Sequence, residues 1–155
     1  MDWLLVVFLV AVALAAATGF VFRPGPWYAG LKKPRWTPPN RAFGPVWITL
    51  YVMIAIAGWR VWGRPGAQPA MSLWVAQLFL NAAWSWLFFG MRRMELAFVD
   101  IVLLWLSIAG FAVAALPVDT TASLLFLPYL AWVSVAAALN LRVWQLNQRD
   151  APRSR

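Results

Sequence analysis

Charge is missing from most of this chain, and the places where it is missing constrain the fold. No Asp, Glu, Lys or Arg occurs between Asp2 and Arg23, between Arg41 and Arg60, between Arg64 and Arg92, between Asp100 and Asp119, or between Asp119 and Arg142. Each interval matches or exceeds the roughly 17–25 residues that carry a helix through a bilayer. Lipid offers no hydrogen bonds to a peptide group, so each interval is expected to be a helix rather than an open strand. Composition agrees: the chain is 63% hydrophobic and 12% charged, whereas a soluble domain carries about 25% charged residues. The expected fold is an all-α membrane protein, a five-transmembrane-helix bundle with a long structured first loop, and a single domain over residues 1–155.

The expected helices cover about 3–22, 44–62, 70–90, 95–116 and 121–146. The first resembles a signal peptide only in being apolar. Asp2 stands where a basic region would, and the run exceeds the roughly 7–15 residues of a signal core, so it is read as a retained helix. Pro65, Gly66 and Pro69 interrupt the chain after the second helix, and Pro117 stops the fourth. The connection over residues 23–43 differs from the others. Pro24, Pro26, Pro34, Pro38 and Pro39, with Gly25 and Gly30, forbid a long helix there. An ordered connection of that length is usually functional. Its aromatic groups and stiff backbone suit a lid over the helix ends, with Trp27, Trp36, Pro38 and Pro39 as its candidate members. A cation in it suits a ligand carboxylate; the bland alternative is that its Lys and Arg residues only meet anionic headgroups.

Basic residues set an expected orientation. Arg23, Lys32, Lys33, Arg35, Arg41, Arg92, Arg93, Arg142, Arg149, Arg153 and Arg155 fall on one side, against Arg60 and Arg64 on the other. In a bacterial inner membrane the positive-inside rule puts the first loop and the C-terminus in the cytoplasm and the N-terminus outside.

No Cys and no His occur, which excludes disulfides, thiolate or imidazole metal sites, and Cys or His catalysis. No cofactor and no metal site are expected. What remains is aromatic and amide chemistry. Of 12 tryptophans, Trp3, Trp59, Trp62, Trp74 and Trp144 lie near helix ends and suit interface anchoring. Trp47, Trp84, Trp86, Trp105 and Trp132 lie deeper, where an indole N–H needs an acceptor. Gln77 and Asn81 share a face of the third helix, extended by Trp84. Trp47 and Tyr51 share a face of the second. Pro128, Trp132, Ala136 and Asn140 share a face of the fifth. Turned inward, these faces enclose a cavity for a flat, largely apolar ligand. The alternative is that Gln77 and Asn81 merely join helices. Asp100 is either a functional intramembrane acid or the partner of Arg92 or Arg93. Ala109, Gly110, Ala112, Ala114 and Ala115 suit close packing, inside the bundle or between copies.

Four motifs carry a resemblance across nearly the whole chain: Trp27-Tyr28-Ala29-Gly30-Leu31-Lys32-Lys33-Pro34-Arg35-Trp36-Thr37-Pro38-Pro39; Pro45-Val46-Trp47 with Leu50-Tyr51; Gln77-Leu78-Phe79-Leu80-Asn81-Ala82-Ala83-Trp84-Ser85 with Phe88-Phe89; and Pro128-Tyr129-Leu130-Ala131-Trp132 with Leu139-Asn140. In their order and spacing the chain resembles the TspO/MBR family, the tryptophan-rich sensory proteins of bacteria and the mitochondrial translocator protein. The resemblance implies a five-helix bundle, usually a homodimer, with a pocket roofed by the first loop. It implies binding of porphyrins such as protoporphyrin IX, or of another hydrophobic small molecule, within a lipid bilayer, with regulation of tetrapyrrole or stress responses; nucleic acid is not an expected partner. By position, Trp47 and Asn81 match residues that hold a drug carbonyl, and Ala136 matches a small pocket-wall residue. Trp47 and Trp132 match two tryptophans implicated in light- and oxygen-dependent porphyrin breakdown, the enzymatic alternative. The expected ligand-binding set is Trp47, Tyr51, Gln77, Asn81, Trp84, Trp105, Trp132 and Ala136. Transport is a further alternative, although the chain lacks the paired repeats usual in transporters. The family's cholesterol motif is incomplete, because Leu139-Asn140-Leu141-Arg142 has no Tyr.

Overall fold

The structure, a computed structural model, describes residues 2–148. Arg149, Arg153 and Arg155, which count toward the expected orientation, lie outside the described residues. The elements are α1 (Trp3–Val21), α2 (Pro26–Ala29), α3 (Asn40–Val61), α4 (Gln68–Ser85) with a π-helical turn (Trp86–Gly90), α5 (Met94–Ala115), α6 (Thr120–Leu125) and α7 (Leu127–Gln148). Five segments are long and apolar enough to cross a membrane: Trp3–Val21, Asn40–Val61, Gln68–Gly90, Met94–Ala115 and Thr120–Gln148.

Three departures from the expected helices have local causes. α3 starts at Asn40 rather than near residue 44 and runs through Pro45. A proline that close to a helix start forfeits few backbone bonds, and Pro39 supplies the extended cap. The last span is broken: Phe126 N–H turns back to the Ser123 carbonyl, and α7 restarts at Leu127. Pro128 has no N–H to continue the ladder but fits the first turn of a new helix. The third span ends in a π-turn, where Met91 N–H reaches five residues back to Trp86 O at 2.8 Å.

Around the bundle, α3 packs on α1, α1 on α4, α4 on α5 and α5 on α7. The short α6 touches α3, α5 and α7 at the end opposite the first loop. That end is pinned by charge. Asp119 caps α6 through Ala122 N–H at 2.8 Å and pairs with Arg60 and Arg64, each at 3.0 Å. Burial alone would raise its pKa; the hydrogen bonds from Arg60 and Ala122, with the charges of Arg60 and Arg64, prevail and hold it below the usual carboxylate range.

Close approach fixes α1, α3 and α4. A Cβ on Gly58 would lie 2.5 Å from the Trp74 ring and 2.8 Å from Phe8. Trp74 is buried there and donates to Ile54 O at 2.9 Å. Its position corrects the expectation of an interface anchor: the residue lies near a helix start, but its ring points into the bundle. Gly110 packs on Leu73, and Ala112 and Ala115 are buried. These small residues serve packing inside the bundle.

Candidate functional site

The end of the bundle under the first loop encloses a cavity of about 620 Å³. Its size falls within the roughly 300–1,000 Å³ of ligand pockets. α3 contributes Trp47 and Tyr51, α4 contributes Asn81 and Trp84, and α7 contributes Trp132, Ala136 and Asn140. Six of the eight expected ligand-binding residues thus share one space: Trp47, Tyr51, Asn81, Trp84, Trp132 and Ala136.

Ring packing makes the walls flat. Trp47 stacks on Tyr51 with centroids 5.3 Å apart, and Trp84 on Phe88 at 5.1 Å. The π-turn brings the adjacent residues Phe88 and Phe89 both to the cavity. Two amides hold the walls in register. Asn140 accepts from Trp84 Nε1 at 3.1 Å and donates to Met94 O at 3.0 Å, tying α4, α5 and α7 together. Asn81 accepts from the Tyr51 hydroxyl at 3.2 Å and donates to the Tyr129 hydroxyl at 3.0 Å, which donates on to Gln77 Oε1 at 3.0 Å. This network crosses α3, α4 and α7. Trp132 lines the cavity with its ring, and its Nε1 is buried with no hydrogen-bond partner among the described residues.

Other expectations are corrected. Gln77 is wholly buried behind the wall, holding Tyr129 rather than lining the cavity. Trp105 does not line it either; its Nε1 donates to Ser134 Oγ at 2.8 Å across α5 and α7. Trp86 is exposed on the outer face rather than deep. Gln77 shares the face of Asn81 but lies one turn farther from the first loop, whereas Trp105 and Trp86 point off the cavity side of their helices. Asp100 is buried, with Oδ2 lacking a hydrogen-bond partner among the described residues, while Arg93 pairs with Glu95 instead.

The first loop, through Pro24 and Tyr28, and the first turn of α3, through Asn40 and Phe43, cover the cavity with residues other than those expected. Trp27, Trp36, Pro38 and Pro39 do not line it. Trp27 instead meets Phe88 edge-on, with the Arg92 guanidinium 5.7 Å from its ring, and Trp36 is exposed. Burial raises the Tyr28 pKa. Lys33 is committed to the loop itself: its Nζ donates to the carbonyls of Tyr28, Ala29 and Leu31 and lies 4.4 Å from the Tyr28 ring centroid. It closes the end of α2 rather than facing a ligand carboxylate.

Sequence reasoning missed two parts of the site. Tyr129, the wholly buried hub of the amide network, received no role; its place one turn from Trp132 was a usable signal. The first helix received none either, yet Ala13, Ala16 and Gly19 line the cavity at three-residue spacing. Small residues on one stripe leave room for whatever lies against them.

The TspO/MBR family model matches residues 4–145. A Rhodobacter capsulatus protein named CrtK is 42% identical over 153 residues, covering 96% of each chain. A tryptophan-rich sensory protein of Cereibacter sphaeroides is 39% identical over 148 residues, 95% of this chain and 94% of that one. The human translocator protein is 40% identical over 148 residues, 90% of this chain and 88% of its own. With five spans and a match over nearly its full length, this chain is a multi-pass integral membrane protein that belongs to the TspO/MBR family.

Proposed function

We propose that the protein is a membrane receptor that binds porphyrins such as protoporphyrin IX, or related flat hydrophobic ligands, in the cavity under the first loop, and so regulates tetrapyrrole or stress responses. The observation that carries this reading is the cavity of about 620 Å³ with Trp47, Tyr51, Asn81, Trp84, Phe88 and Trp132 on its wall. Stacked rings, with Trp132 beside them, give a flat apolar ligand its area, and Asn81 on the wall gives it a polar contact that sets its orientation. The names of the relatives, sensory protein and translocator protein, agree with a ligand-handling role. The basic residues favour the first loop on the cytoplasmic side of a bacterial inner membrane. A homodimer accompanies the family resemblance.

Titration with protoporphyrin IX in dim light, followed by tryptophan quenching, tests the reading. Saturable binding that weakens in Asn81→Ala and Trp132→Phe is expected. Quenching that never saturates, and is the same in both variants, would overturn it. A second reading, light- and oxygen-dependent porphyrin breakdown, is favoured by Trp47 and Trp132 both facing the cavity, with Tyr51 stacked on Trp47 as a further oxidisable ring. Equal bleaching rates for free and bound porphyrin would remove it.

A further inference from the structure

We infer that Asn147 is the latch of the lid, and that it sets how fast a ligand enters and leaves the cavity rather than how tightly it is held. The inference rests on the ligand reading above. The connection from α1 to α3 is covalently fixed only at its ends, and Lys32 lies near its middle. There Asn147, on the last turn of α7, accepts from Lys32 N–H at 3.1 Å and donates to Lys32 O at 3.0 Å. Its amide also donates to Val143 O at 2.7 Å, which holds the side chain against its own helix. A carboxamide carries the same donor and acceptor as a peptide group. The Asn147 side chain therefore pairs with one lid residue as a neighbouring strand would, using only the backbone of Lys32.

The surroundings make this a lid with a seat. Tyr28 meets Phe89 edge-on at 5.4 Å and Phe88 at 6.1 Å, and Leu31 packs against the apolar cluster that contains Phe88 and Val143. The seat sits on the π-turn, where Gly90 makes room for the Phe22 ring: a Cβ there would come within 2.9 Å of it. Rings that rest on rings tolerate sliding, whereas two converging hydrogen bonds on one residue do not. The latch thus fixes the lid along the one direction the apolar seat leaves soft.

Asn147 lines no part of the cavity. A ligand in the cavity therefore touches neither of its bonds to Lys32, so removing the latch should destabilise the empty and the filled closed forms alike. Opening then speeds association and dissociation together, while the equilibrium constant stays nearly fixed. Two ordinary hydrogen bonds correspond to a change in rate on the order of tenfold.

The test is stopped-flow binding and chase of protoporphyrin IX on the full chain in nanodiscs. Asn147→Ala is compared with Gln145→Ala, a change on the same exposed helix end that does not touch the lid. Both rate constants rising about tenfold in Asn147→Ala, with Kd within about twofold and Gln145→Ala unchanged, is the expected result. Rates equal to wild type, or a weakened Kd with an unchanged association rate, would overturn it. If neither protein binds the porphyrin saturably, the ligand reading fails and the latch is judged by hydrogen exchange. Lost protection of the Lys32 amide in Asn147→Ala, with α7 amides unchanged, supports the latch, and unchanged protection refutes it.

Discussion

Replacing Tyr129 by phenylalanine removes one oxygen atom at a point where three helices meet. That hydroxyl donates to Gln77 Oε1 and accepts from Asn81 Nδ2, both at 3.0 Å. The two losses are unequal. Asn81 lines the cavity and keeps its bond from Tyr51, so water there can replace the lost partner. Its loss is near the net worth of a hydrogen bond, about 1 kcal/mol. Gln77 is wholly buried and its Nε2 already has no partner among the described residues. Losing the Oε1 bond leaves the amide unsatisfied, which costs about 1–3 kcal/mol. Interhelical hydrogen bonds in membranes average lower, about 0.6 kcal/mol, because separated helices find other partners. The expected destabilisation is therefore about 2 kcal/mol. The double change Gln77→Leu with Tyr129→Phe removes donor and acceptor together, and it should cost less than Tyr129→Phe alone. Reversible denaturant titration in mixed micelles, followed by tryptophan fluorescence, measures both. Tyr129→Phe within about 0.5 kcal/mol of wild type, or a double change that costs the sum of the two singles, would refute the reasoning.

Gly58→Ala should be destabilising by about 2–3 kcal/mol, because the new methyl forces the Trp74 ring from Phe8 and from its bond to Ile54 O; thermal unfolding in detergent checks it, and Trp74→Phe in the same background should recover part of the loss. Acid should loosen the end opposite the lid. The Asp119 pKa is lowered in the folded chain, so its stabilisation is present above the unfolded value, about 4, and is lost as pH falls through the folded value. Asp119→Asn should lower Tm at pH 7 and lie closer to wild type at the lowest accessible pH; a gap that stays constant would assign the effect to something other than ionisation. Ala136→Phe should abolish or sharply weaken porphyrin quenching while Tm changes little, since its ring would occupy cavity space rather than core.

How much of this was legible in the sequence depends on the range of the forces involved. Lipid acts on whole segments, so the gaps between charged residues revealed five spans. A side chain's direction depends on helix rotation, which one turn residue changes. Asn81 and Trp84 recur on one stripe of α4, and Trp132 with Ala136 and Asn140 on one stripe of α7, and these stripes line the cavity. Gln77 and Trp105 were misplaced because both are amphipathic and can satisfy their polar atoms between helices as well as in a cavity. The prolines marked a stiff connection, yet its cavity-lining residue Tyr28 was not separated from Trp27 and Trp36. Composition marks a stiff connection, but the way it folds over depends on contacts such as Asn147 with Lys32, far apart in sequence.

The π-turn at Trp86–Gly90 has a consequence for how this segment tolerates change. A π-turn holds one residue more than the α-helical ladder needs. Deleting any one of these five residues would restore ordinary helical pairing, at little cost to the backbone. The chain beyond would keep its bearing, because the π-turn had absorbed the extra residue, but Phe88 and Phe89 could no longer both reach the cavity. Many substitutions here can keep the rings, whereas an insertion or deletion cannot keep their bearing. A family that lives by this geometry should therefore vary in the letters of this stretch and hold its length.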